Sequence, residues 1–140
     1  MRALFGVVLF SLAIAGSAGN SLAGDLVIER VFGPEIPTGP YKHPACITEL
    51  DNGDLYLVYY GGAGEYAIHT GVFGSRYSKA AKTWSAPKLI ASDPFRSVGN
   101  GVVWQAPDGV VWLFYVVRWG ETWSTSRIQA KVSRDGAQTW

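Results

Sequence analysis

Two ribbons of this chain recur at one fixed offset, and that repeat limits the possible folds more than any other feature. Ile47-Thr-Glu-Leu-Asp-Asn-Gly-Asp-Leu-Tyr-Leu-Val-Tyr-Tyr60 reads as strand, tight Asn52-Gly53 turn, strand. Gly101-Val-Val-Trp-Gln-Ala-Pro-Asp-Gly-Val-Val-Trp-Leu-Phe-Tyr115 reads the same way, with Asp108-Gly109 at the turn. Gly53 and Gly109 lie 56 residues apart, as do Trp84 and Trp140. At that offset Tyr56 falls on Trp112, Leu57 on Leu113, Val58 on Phe114, Tyr59 on Tyr115 and Thr83 on Thr139. Coincidence poorly explains one ungapped offset that aligns two separate motifs.

Each unit is predicted to hold four short strands. The hairpin supplies two, and a third is expected near Ala67 to Phe73 in the first unit and near Arg127 to Val132 in the second. Lys88 to Ala91 reads as a fourth. Repeats of about 40–50 residues with four strands each mark a β-propeller, so the expected fold is all-β. The units are expected to span about 41–96 and 97–140. A β-sandwich of irregular hairpins is the alternative. Upstream, Leu26 to Phe32 mixes apolar and charged residues as an exposed strand does. Gly33, Pro34, Pro37, Gly39 and Pro40 then break regular structure.

Composition narrows the class. Hydrophobic residues make up 48% and charged residues 16%, which excludes disorder, and a net charge of +1 offers no general attraction to nucleic acid or to acidic membranes. The single cysteine, Cys46, rules out an internal disulfide and a Cys-rich zinc site. His43, Glu65 and His69 show no metal-ligand spacing, so no metal or cofactor is expected. Cys46 and His69 read as packing positions. The chain contains no Gly-x-Ser-x-Gly, phosphate loop or zinc-protease motif.

The start of the chain reads as an address. Met1-Arg2 is positive, Ala3 to Gly16 is apolar, and Ser21-Leu22-Ala23 fits a signal peptidase site, with Gly16-Ser17-Ala18 as a second choice. A spanning helix needs roughly 20 apolar residues, more than this run supplies. Residues 1–23 are therefore expected to be a cleaved signal peptide and the protein to be secreted or periplasmic, free of the membrane after cleavage.

Ser133-Arg-Asp-Gly-Ala-Gln-Thr-Trp140 sets a short polar turn between two strands. Ser133 and Asp135 are suited to bind turn backbone, and Gly136 permits a tight bend. This stretch resembles the Asp-box, or BNR repeat, of the sialidases (neuraminidases) and their relatives, with Thr139 and Trp140 closing the motif. Ala137 stands where that family prefers Gly. Tyr77-Ser-Lys-Ala-Ala-Lys-Thr-Trp84 keeps only the closing Thr83-Trp84. Asp-boxes are structural markers and speak for fold, not for catalysis.

The resemblance covers residues 24–140 and implies the N-terminal part of a sialidase-like β-propeller, six-bladed when complete, of which about two blades are present. Tyr41-Lys42-His43-Pro44 is similar to the family's Tyr-Arg-Ile-Pro, whose Arg clamps the substrate carboxylate. A Lys supplies the charge without the planar fork. Gly61-Gly-Ala-Gly-Glu65-Tyr66-Ala-Ile68 is similar to the loop of the family's general acid, which nominates Glu65 as catalytic. Its bland reading is a solvated loop carboxylate. Val98-Gly99-Asn100 is similar to the start of the next blade. Lys42, His43, Asn100 and Arg118 are thus expected to shape a carbohydrate site. His43 is equally readable as bonded to a backbone carbonyl. Trp119, Glu121 and Trp123 read as a sugar platform beside Arg118, or as cover for a sheet edge.

By that resemblance the Glu-Tyr nucleophile pair and two further Arg residues are expected beyond residue 140. The function expected is an exo-glycoside hydrolase acting on terminal sugars of glycans or polysaccharides. The alternative is a non-catalytic BNR-repeat propeller that binds glycans or proteins.

Overall fold

The computed structural model describes residues 28–140, so the expected signal peptide and the first residues of the expected Leu26–Phe32 strand lie outside the described residues. Two antiparallel sheets follow. The first holds β1 (Tyr41–Glu49), β2 (Leu55–Gly62), β3 (Gly71–Ser78), β4 (Thr83–Trp84) and β5 (Lys88–Ala91), in the order β1-β2-β3-β4 with β5 also on β3. The second holds β6 (Val98–Gln105), β7 (Val111–Arg118) and β8 (Ser126–Ser133) in sequence order. Shifting β2 by 56 residues reproduces the limits of β7.

Both hairpins close in the same way. Leu50 N donates to Asp54 O and Gly53 N to Leu50 O, while Ala106 N donates to Val110 O and Gly109 N to Ala106 O. Gly53 has φ +80° and Gly109 φ +81°, and neither Asn52 nor Asp108 is left-handed. Each loop is therefore a three-residue type I turn ending in a left-handed glycine, one residue longer than a two-residue turn at Asn52-Gly53. The two inner strands also share an irregularity. The β1–β2 register shifts between His43 and Ala45, and the β6–β7 register between Gly99 and Val102. The two bulges lie one repeat apart, at the same end of their sheets.

Two expectations are corrected. The third strand of the first unit is Gly71–Ser78, not Ala67 to Phe73. Ala67 N donates to Gly64 O, Thr70 N to Ala67 O and Thr70 Oγ1 to Gly64 O, so these residues turn back on themselves and leave Ile68 exposed. Ile28 to Phe32 form no strand, because a polar–apolar alternation makes one only where a neighbouring backbone completes the ladder. Phe32 instead lays its ring 5.0 Å from that of Tyr59.

The core lies between the sheets and settles the choice between sandwich and propeller. The first sheet buries Tyr56, Val58, Tyr60 and Val72 against the second, which answers with Val103, Val111, Leu113 and Tyr115. Leu113 and Tyr115 are the repeat mates of Leu57 and Tyr59, which lie on the opposite face of the first sheet. The repeats thus bury opposite faces and follow one another head to tail. Two sheets of a sandwich would bury corresponding faces. Close approach falls at β6, where a Cβ on Gly101 would sit 2.9 Å from Val72 Cγ1.

At the hairpin-tip end, Asp135 gathers the turn between Ser133 and Thr139. Asp135 Oδ1 accepts from Ser133 Oγ (2.6 Å), Gln138 N (3.0 Å) and Thr139 N (2.9 Å), and its Oδ2 accepts from Thr139 Oγ1 (2.5 Å). Those donors, Ser133 first, hold its carboxyl well below the usual carboxylate range. Gly136 and Ala137 are both left-handed, at φ +67° and +64°. The family's preference for Gly at the second position therefore has a backbone cause. Trp140 packs on the core, its ring 6.0 Å from Tyr56. In the first unit Thr83 and Trp84 pair with Ser78 and Tyr77 as β4. Arg76, which the sequence did not single out, ties the sheets together. It pairs with Asp54 at 3.1 Å and donates to Gly136 O.

Candidate functional site

The other end of the sheets gathers the chemistry-bearing loops. Tyr41 to His43 pair with Gly62 to Tyr60, and Val98 pairs with Val117, so the starts of β1 and β6 share this end with the β2–β3 and β7–β8 loops. All five residues proposed for catalysis or binding lie here. The strands place them, and the loops decide which ones meet.

Glu65 and Arg118 belong to one cluster, joined through Ser97 and Tyr66. Glu65 sits in the β2–β3 loop, half-buried, and its Oε1 accepts from Trp123 Nε1 at 3.2 Å. Its backbone carbonyl accepts from the buried Ser97 Oγ at 2.8 Å. Ser97 also accepts through its carbonyl from Arg118 N at 3.1 Å, and so ties the two loops together. Arg118 closes β7, donates to Tyr66 O (2.9 Å) and Glu121 O (2.8 Å), and stacks its guanidinium 4.5 Å over the Tyr66 ring. The Tyr66 and Trp123 rings lie 5.5 Å apart. Beside them, Arg96 lies 4.0 Å over the exposed Trp119 ring. A hollow of about 300 Å³ opens here, lined by Tyr66, Arg96, Ser97, Arg118 and Trp119 among others, the size of a small-ligand pocket.

Lys42 and His43 stand apart from this cluster. They line a separate hollow of about 170 Å³ with Phe32, Pro44, Ala45, Leu57 and Tyr59. The Lys42 ammonium donates to Gly39 O at 2.6 Å, so its charge is spent on its own turn. His43 is exposed, with its ring 6.0 Å edge-on to Tyr60. Asn100 occupies the β6 bulge at φ +49°, exposed and outside both hollows. Bulges often re-aim side chains beside functional sites, and here they set both Asn100 and the Lys42-His43 pair.

Tyr60 connects the halves of this end. It is fully buried, 5.8 Å from the Tyr41 ring, and its hydroxyl has no hydrogen-bond partner. Burial pushes its phenol far above the ordinary value, with Tyr41 and the Glu65 carboxylate adding to the shift. Tyr60 and Arg96 were not singled out in the sequence. Tyr60 looks like any strand tyrosine, and Arg96, which pairs with Asp93 at 3.5 Å, lies against a ring, Trp119, that is distant in the sequence.

Among the described residues no cluster of three or more His, Cys, Asp or Glu could hold a metal, and no helix is long and apolar enough to cross a membrane. The family described as BNR repeat-like domain matches residues 53–140, well over half of the chain. The chain belongs to that family. Among solved structures it is similar to the Hadza microbial sialidase Hz136, with TM-score 0.62, 16% identity, 74% of this chain and 25% of that chain covered. A protein of unknown function from Dyadobacter fermentans is similar with TM-score 0.56 and 18% identity, over 69% of this chain and 34% of that one. These likenesses show the fold, a partial sialidase-like β-propeller in which this BNR-repeat chain supplies two sheets. It spans a quarter to a third of the length of those structures. Comparison with curated protein sequences found no match.

Proposed function

We propose that this BNR-repeat chain forms part of an exported, sialidase-like exo-glycoside hydrolase acting on terminal sugars of glycans or polysaccharides. The observation that carries the reading is the Glu65 cluster. It sets a loop carboxylate on an indole N–H beside a cation and three aromatic rings, at the bulged end of a propeller-type pair of sheets. In its acid form Glu65 donates its proton to the glycosidic oxygen as the C–O bond breaks. Trp119 and Tyr66 offer faces to pyranose C–H groups, and Arg118 fixes the loop that carries Glu65.

The test is turnover of a panel of fluorogenic terminal glycosides, with Glu65→Gln beside the unsubstituted protein. The substitution is expected to cut kcat by two orders of magnitude or more, within the range of general acid catalysis, and to leave KM within a few-fold. Unchanged turnover would remove Glu65 from this role. Binding of the sugars without turnover by either form would move the protein to the glycan-binding class.

A further inference from the structure

The hollow beside Glu65 carries a charge that the proposed proton transfer does not use. Its lining contains two guanidinium groups, from Arg96 and Arg118, and no acidic side chain. Arg118 donates to two neutral acceptors, Tyr66 O and Glu121 O, and its Nε is buried without a partner. None of the ion pairs among the described residues includes it. Arg96 has one counter-charge there, Asp93, in a long, partly exposed ion pair of 3.5 Å, and such pairs hold little. The same lining includes apolar side chains that the fold leaves uncovered, for Phe95 is 76% exposed and Ile68 and Trp119 are 57% exposed each. One exposed apolar residue is ordinary, but three around a single cationic hollow mark a binding site. The hollow is built by three loops of this chain, β2–β3, β5–β6 and β7–β8, and not by an open sheet face.

We propose that this hollow is a subsite for an acidic sugar, one that carries a carboxylate or a sulfate ester, next to the sugar whose bond Glu65 faces. Its volume, about 300 Å³, suits a single ring with its substituent. Trp119 and Ile68 offer apolar faces to the ring, and the guanidinium edges offer N–H groups to the anionic oxygens. Stacking on Trp119 occupies the face of the Arg96 guanidinium and leaves its edge for hydrogen bonds. Lys42, which matches the family's carboxylate-clamping Arg, lines the other hollow and gives its ammonium to Gly39 O, so the subsite is not that clamp. Glu65 does not line the hollow, and its Oε1 is held by Trp123, which places the acidic sugar beside the cleaved one. A net charge of +1 confines the attraction for anions to this patch. The inference rests on the glycan reading of this end and not on Glu65 acting as an acid.

Isothermal titration calorimetry with three tetrasaccharides tests it. The probes are a neutral N-acetyllactosamine repeat, the same repeat bearing sulfate esters, and an unsulfated chondroitin repeat whose charge is carboxylate alone. At least one acidic probe is expected to bind about tenfold tighter than the neutral one, and which of the two does so assigns the anion. That preference is expected to shrink between about 0.05 and 0.5 M salt. Arg96→Gln is expected to erase most of it while the neutral probe binds within about twofold of its original affinity, which also reports an intact fold. Equal affinity for all three probes, or no binding of either acidic one, overturns the proposal. An acid preference untouched by Arg96→Gln overturns it too, as does a short single-stranded oligonucleotide that binds as tightly as the acidic sugars. A protein that turns over terminal glycosides without any acid preference refutes the subsite alone. One that prefers the acidic probe without turnover refutes only the role of Glu65.

Discussion

Leu57 and Leu113 hold the same place in their repeats, at the middle of the second strand of each sheet, yet Leu113 is fully buried and Leu57 only half-buried. Val72 and Ile128 differ in the same way, with the first repeat now the covered one. Strand, turn and bulge recur regardless of this difference. Local pattern and ladder pairing therefore build each sheet, and burial depends on whether a neighbour lies on that face. The turns at the hairpin-tip end differ in another way. Asp135 holds its own turn from within the box. The corresponding turn of the first unit has Lys79 in that position, and its backbone N donates at 3.0 Å to Asp54, a carboxylate lent by the hairpin tip. The same turn is stabilised by two aspartates from different places in the sequence.

The largest expected effect separates the two leucines. Leu113→Ala is expected to destabilise by about 2–5 kcal/mol in urea unfolding and Leu57→Ala by clearly less. Equal losses would break the contrast between covered and open faces. Gly101→Val, which drives a side chain into Val72, is expected to cost about 1–3 kcal/mol, while Ala45→Val stays within about 0.5 kcal/mol. A smaller effect sharpens the comparison of turns. The Asp135 and Asp54 carboxyls are both held below their ordinary values, Asp135 chiefly by the Ser133 hydroxyl and Asp54 chiefly by the Lys79 backbone N–H. Each contributes stability above the usual carboxylate range, and that contribution fades as the pH falls through the lowered folded value. Asp135→Asn and Asp54→Asn are each expected to lower the melting temperature near neutrality and to flatten the loss of stability below about pH 4. A variant whose acid limb matches that of the unsubstituted protein would show that its aspartate has no part in the acid response.

Much of the scaffold was legible because it is local. Alternating apolar residues around Gly53 and Gly109, repeated at 56 residues, mark both hairpins, and Ser133, Asp135 and Thr139 carry their turn chemistry in their own spacing. The third strand was misplaced because Ala67 and Ile68 look apolar enough for a strand, whereas β3 contains Gly71, Gly74 and Ser75, poor strand formers held by pairing with β2. The site was legible only in outline. Loop position brought Glu65 and Arg118 forward, but the Trp123 indole on Glu65, the Ser97 tie and the Arg76 bridge join residues 22 to 60 positions apart. No spacing rule reaches contacts of that range.

The Asp-box turns and the Glu65 loop lie at opposite ends of eight-residue strands, roughly 20 Å apart at the rise of an extended chain. Damage at one end is therefore largely insulated from the other. Libraries that randomise the loop end can be screened for new specificities without discarding most members as misfolded, and a thermostabilising change placed in the box should carry through such a library without altering what it selects.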